Sequence, residues 1–122
     1  MSSPKEMVTD YYPAIDRVDH DTVLSLFAPD AVYKRADVEY RNLAEIRDFF
    51  CEKRQIRGRH TIDRIWTDRD GMTVLVTGAF DGEGEAGDPR SVKFADIWHF
   101  NDAGLVRERQ TYLAMGHAYV ER

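Results

Sequence analysis

The run VKFADIWHF, residues 92–100, constrains the fold more than any other stretch. Taking every second residue puts Val92, Phe94, Asp96, Trp98 and Phe100 on one side, a period of two that belongs to an extended strand. So much apolar bulk on one face requires a sheet with other elements packed against it. Asp96 sits in the middle of that face. An ionised carboxylate among aromatic rings is costly unless it is paired, hydrogen-bonded or kept protonated. The packing and the chemistry of this chain therefore meet at one residue.

Other strand-length runs fill the chain from His60 onward: RHTIDRIWTD, MTVLVTGAF, RSVKFADIWHF and LVRERQTYL, joined by RDG, DGEGEAGDP and NDAG. The glycine-rich joint has no helix after it and no P-loop lysine, so it reads as a hairpin connection. The first half is helical. Ser3 as N-cap, Pro4 and Glu6 start a helix carrying Met7, Val8, Tyr11, Ile15 and Val18 on its apolar side, which Pro13 is expected to kink or cut short. Asp19 caps a second short helix with Val23, Leu24, Leu26 and Phe27, closed by Pro29. A strand, DAVYKR, follows, with Ala31, Val32 and Tyr33 buried. Asn42 and Glu45 open a third helix that lines up Ile46, Phe49, Phe50 and Lys53. Three helices and a meander of long strands predict an α+β fold in which helices cover one face of an antiparallel sheet.

Charge and composition narrow the partners. The 17 basic residues are scattered among 22 acidic ones, for a net charge of −5, with no basic stripe to attract nucleic acid or an anionic membrane. A chain of 122 residues makes one domain, residues 1–122. Cys51 is the single cysteine, so no internal disulfide can form, and the amino end has no apolar stretch of signal-peptide or membrane-spanning length. A soluble cytoplasmic protein is expected. His20, His60, His99 and His117 fall in separate elements without ligand-pair spacing, so no metal is expected, nor is there a G-x-S-x-G nucleophile motif.

With LFAPDAVYKR, LAEIRDFF and FADIWHFNDAG in this order, nearly the whole chain resembles the SnoaL-like branch of the nuclear transport factor 2-like superfamily, which includes ketosteroid isomerases and polyketide cyclases. The resemblance implies a cone-shaped roll: a curved, mostly antiparallel sheet packed by three N-terminal helices around a deep, mostly apolar pocket. It also puts Tyr11 and Asp96 where ketosteroid isomerases hold the tyrosine and the neutral aspartic acid of their oxyanion hole. Arg35 falls at the position of the isomerase's base. Arginine cannot take a proton at neutral pH, so a steroid isomerase is not expected. The superfamily's dehydratases use a histidine near the second strand as general base, which suggests that role for His60.

Each candidate has a functional and a structural reading. Asp96 is a protonated donor to an oxyanion, an acid/base acting on a substrate carbon, or half of an ion pair with an inward arginine. Tyr11 is a second oxyanion donor or a packing residue, and a kink at Pro13 would turn Tyr12 inward in its place. His60 is a base or a histidine at the sheet edge. Tyr33 and Arg35 alternate on one strand and share a face, where Arg35 fits a carboxylate or carbonyl of the substrate, or pairs at the rim with Asp37 or Glu39. On the last strand Arg107, Arg109 and Thr111 oppose Val106, Glu108, Gln110 and Tyr112. The resemblance sends Arg109 and Thr111 inward, whereas a bulge would reverse this parity. Phe80, Trp98 and Leu113 are expected as apolar walls. Ala95, Ile97 and Tyr112 face outward, where they suit a homodimer.

The function expected is that of an acid/base enzyme, without metal or cofactor, acting on a small hydrophobic cyclic carbonyl compound as an isomerase, aldol cyclase or dehydratase. The alternatives are a non-catalytic small-molecule-binding protein using the same pocket and an epoxide hydrolase-like enzyme.

Overall fold

A computed structural model describes residues 2–114. Helix α1, Pro4–Asp16, begins as the sequence signals: the Ser3 side chain accepts from the Glu6 N–H at 3.2 Å, and the Glu6 carboxylate accepts from the Ser3 N–H at 3.1 Å. Pro13 does not end it. Both Pro13 and Thr9, whose carbonyl loses its helical partner there, face solvent, so water can satisfy the freed oxygen while the helix runs on to Asp16. Helix α2, His20–Ser25, starts on the Asp19 cap but is shorter than expected. Phe27 already belongs to strand β1, Phe27–Arg35, and Pro29 lies within it, at an irregularity in its pairing where no ladder N–H is required.

A short strand absent from the sequence reading, β2 (Val38–Arg41), folds back antiparallel on β1 and leads into α3, Leu43–Asp48. Asn42 caps α3 as expected, while Glu45 reaches past the cap to the Arg41 N–H at 2.9 Å. The expected third helix does not stay α-helical. From Phe49 to Lys53 it widens into a π-helical turn, closed by the Arg54 N–H on the Phe49 carbonyl at 2.8 Å.

Four long strands complete the chain: β3 (Arg57–Thr67), β4 (Thr73–Glu83), β5 (Pro89–Phe100) and β6 (Val106–Ala114). They form one six-stranded sheet in the order β2-β1-β6-β5-β4-β3, antiparallel except where β1 runs beside β6. The glycine-rich connection is shorter than its composition suggests, because Asp81, Gly82 and Glu83 pair with Ser91, Arg90 and Pro89. This is an α+β architecture in which the helices lie against the concave face of a curved, mostly antiparallel sheet. At one end of β3 and β4, Gly58 faces Gly82. A Cβ on either would lie within 2.3 Å of backbone oxygen, so the two strands approach too closely there for any side chain.

The inner face of β5 is as the alternation predicts. Phe94, Asp96, Trp98 and Phe100 are buried against Val8, Tyr11, Tyr12 and Ile15 of α1 and Phe50 of the π-turn. Two bulges set the parity of the flanking strands. One, at Asp63, turns Ile65 inward with Ile62 and leaves Trp66 41 % exposed. The other, at Arg107, separates Arg107 from the residues it was grouped with: Arg107 is exposed, whereas Val106, Arg109 and Thr111 are buried. Ala95, Ile97 and Tyr112 lie on the outer side of the sheet, Tyr112 well exposed. Among the described residues no helix is long and apolar enough to cross a membrane.

Candidate active site

A cavity of about 570 Å³ opens between α1, the π-turn and the inner face of the sheet. Phe50, Ile56, Phe80, Phe94 and Leu113 give it apolar walls; Tyr11, Tyr33, Arg35, Arg54, His60, Asp96, Arg109 and Thr111 bring polar groups into it. Trp98 is not a wall. It is fully buried in the layer below, where its ring supports the Arg109 guanidinium at 4.3 Å.

Asp96 is 1 % exposed and accepts four hydrogen bonds. Arg109 donates from Nη2 at 3.0 Å and Nε at 3.3 Å, Tyr12 donates its phenol proton at 2.5 Å, and Thr111 donates its hydroxyl. A carboxylate beside a guanidinium can only accept, so every proton in this cluster runs toward it. Thr111 has used its proton on Asp96; its 3.2 Å contact with Tyr33 is therefore a hydrogen bond donated by Tyr33. Trp98 Nε1 donates in turn to the Tyr12 oxygen at 3.3 Å. Burial, and then the Asp96 charge, hold the Tyr12 phenol well above its ordinary range. For Arg109, burial works against the charge, but Asp96 together with the phenol oxygens of Tyr11, Tyr33 and Tyr12 outweighs it, and the group stays a cation. Asp96 is thus the anchor of a satisfied ion-pair network, and the expectation that it donates to an oxyanion fails because Arg109 faces inward.

Tyr11 lines the cavity beside this network. It does not touch Asp96; that contact belongs to Tyr12, and both tyrosines are buried side by side, their rings 4.9 Å apart. Arg109 Nη1 donates to the Tyr11 oxygen at 2.7 Å, and burial pushes the phenol up to about 12. Its own proton finds no acceptor among the described residues. The other hydroxyls in the cavity wall are committed, Tyr33 to Thr111, Thr111 to Asp96 and Ser91 to Asp81. Tyr11 is therefore a proton donor aimed at whatever fills the cavity, and Arg109 behind it strengthens that donation.

His60, on β3, is held by a residue absent from the sequence reading. Asp16, in the last turn of α1, accepts from the His60 backbone N–H at 2.8 Å and meets Nδ1 at 2.5 Å. That contact places the ring proton on Nδ1 and leaves Nε2 with its lone pair, without a partner among the described residues. Phe80 and Phe94 flank the ring at 4.8 and 5.5 Å. Burial lowers the His60 pKa below the ordinary histidine value, although Asp16 pulls the other way. The imidazole is neutral at pH 7. Because the unfolded chain then binds the proton more readily, stability is fully present above about pH 6.5 and falls with acidification until the folded histidine protonates too. Urea unfolding should show this slope in the wild type, and His60→Gln should remove it.

Arg35 lies over the Phe49 ring at 4.9 Å and makes no ion pair with Asp37 or Glu39; Glu39 pairs with Arg41 at 2.6 Å. Arg54, also absent from the sequence reading, enters the wall from the end of the π-turn. Tyr12 and Asp16, one helical turn apart, share a face of α1, the one signal that pointed to Asp16. Arg54 had none. No three His, Cys, Asp or Glu side chains converge as a metal ligand set among the described residues, and His117 lies outside them.

An α+β cone closed by helices, with titratable groups lining a cavity between the helices and the sheet, is a fold of the nuclear transport factor 2-like kind. The SnoaL-like domain model matches residues 8–109, and the chain belongs to that family. None of the curated proteins compared with the chain matches it. Among solved structures, it is similar to a presumptive polyketide cyclase from Pseudomonas putida, at 18 % identity over 92 % of both chains with a TM-score of 0.83. It is also similar to an NTF2-like protein from Burkholderia pseudomallei, with 22 % identity over 93 % of this chain and 92 % of that one and a TM-score of 0.80. A third is SalBIII, an epoxide hydrolase/cyclase-like enzyme of pyran ring formation in salinomycin, with 16 % identity over 92 % and 91 % and a TM-score of 0.79. At these identities the likeness carries the fold alone.

Proposed function

We propose that this protein is a cofactor-independent acid/base enzyme that enolises a small cyclic carbonyl compound, as an isomerase, aldol cyclase or dehydratase. One observation carries the reading: the same cavity is lined by a histidine whose Nε2 keeps its lone pair and by a tyrosine whose hydroxyl proton is uncommitted among the described residues. His60 Nε2 takes a proton from the carbon next to the carbonyl. Asp16 orients the ring and stabilises the imidazolium that forms. Tyr11 donates to the carbonyl oxygen as negative charge grows on it, and its high pKa keeps the proton in place until then. Asp96 is a positioning residue, which holds Arg109 against Tyr11.

Epoxide opening fits less well, because it needs a carboxylate free to activate water, and the Asp96 oxygens already accept four hydrogen bonds. The test is deuterium exchange at the α-carbon of tetralone in heavy water, followed by proton NMR. Exchange above the rate seen with heat-denatured protein is the expected result. Saturable binding of tetralone with exchange at the background rate would instead make this a binding protein.

A further inference from the structure

Four arginines reach the cavity wall, and they differ in their partners. Arg109 is paired with Asp96, and Arg90 is paired with Asp88 at 2.6 Å outside the cavity. Arg35 and Arg54 have no carboxylate within ion-pair distance among the described residues. Arg54 donates only to the Ile56 carbonyl, at 3.2 Å, and Arg35 lies over the face of Phe49. Two half-buried cations without counter-charge are costly to maintain, and this chain carries more acids than bases from which a partner could have been drawn. Burial accordingly lowers the pKa of Arg54, and the neighbouring charges of Arg35 and Arg57 add to that lowering.

Building on the enolisation reading, we infer that the substrate is a cyclic keto acid whose carboxylate binds Arg54 and Arg35 while its ring occupies the apolar walls and its carbonyl lies by Tyr11. A planar carboxylate matches the guanidinium fork. It also brings one delocalised charge, which costs less to desolvate than a phosphate dianion in a cavity lined by Phe50, Phe80 and Leu113.

Calorimetric titration with naphthoate and with naphthamide, its neutral isostere, tests this without turnover. The wild type should bind naphthoate about ten- to a hundredfold more tightly. Arg54→Gln should abolish the preference and Arg35→Gln should reduce it, whereas Arg54→Lys, which keeps the charge, should retain most of it. Equal affinity for the two probes in the wild type, binding of neither, or an unchanged preference in Arg54→Gln would each overturn the inference. Its failure is separable from that of the enolisation reading. Exchange of tetralone as fast as of its ring-carboxylated analogue removes the acid subsite alone; a naphthoate preference with no exchange of either ketone removes only the catalysis.

Discussion

Replacing Asp96 by Ala is expected to lower the free energy of unfolding by about 3–5 kcal/mol, although the change deletes only a few atoms. The reason lies in what stays behind. Arg109 is 3 % exposed, enclosed by the rings of Tyr11, Tyr33 and Trp98 at 4.3–4.6 Å, and among the described residues has no second carboxylate in reach. Tyr12 and Thr111 would each lose the acceptor for a buried proton as well. The cost is therefore that of an orphaned cation and two orphaned donors, not the net worth of the pair. Asp96→Leu combined with Arg109→Met, which removes both charges at similar volume, should cost much less than the sum of the single changes. Urea unfolding of the four proteins measures the coupling. A loss below about 1 kcal/mol for Asp96→Ala would mean that the cluster is hydrated and not the dry network described.

His60→Gln is expected to slow α-proton exchange by about 10²–10⁴-fold, the usual range for removing a general base, with little change in KM. Glutamine retains a hydrogen-bonding side chain but has no lone pair basic enough to take a carbon-bound proton. Because burial holds His60 below the ordinary histidine value, the wild-type rate should stay level from neutral pH down past 6.5 and fall only where the folded imidazole protonates. Asp16 acts through His60. In Asp16→Asn the amide can present its N–H to Nδ1, which moves the ring proton to Nε2 and blocks the base, so the rate should fall nearly as far. A merely structural Asp16 would alter stability and leave the pH profile of the rate unmoved. An unaltered rate in His60→Gln would pass the proton transfer to another group and remove the mechanism proposed.

Much of this site was legible as pattern and little of it as pairing. The alternation around Asp96, the Ser3 and Asn42 caps and the apolar faces of the helices depend on neighbours within a turn or a pleat, which local backbone geometry dictates. The third helix was legible to Asp48, but no periodicity in the sequence marks its widening into a π-turn, and with it the placing of Arg54. Val106 and Trp66 show the same limit in the strands. A single bulged residue reverses which side faces in, and nothing in the local sequence marks Arg107 or Asp63 as the residue that bulges.

By itself, then, the sequence determined that an α+β chain places one acid amid the aromatic face of a long strand, because a period of two admits no other arrangement. Only the tertiary structure decided that Arg109 would reach that acid, that Tyr12 would bind it while Tyr11 kept a proton for the cavity, and that Asp16 would hold His60 from 44 residues away. Hydrogen bonds between side chains act over about 3 Å in space, and distance along the chain does not record which groups the folded sheet and helices bring within that reach.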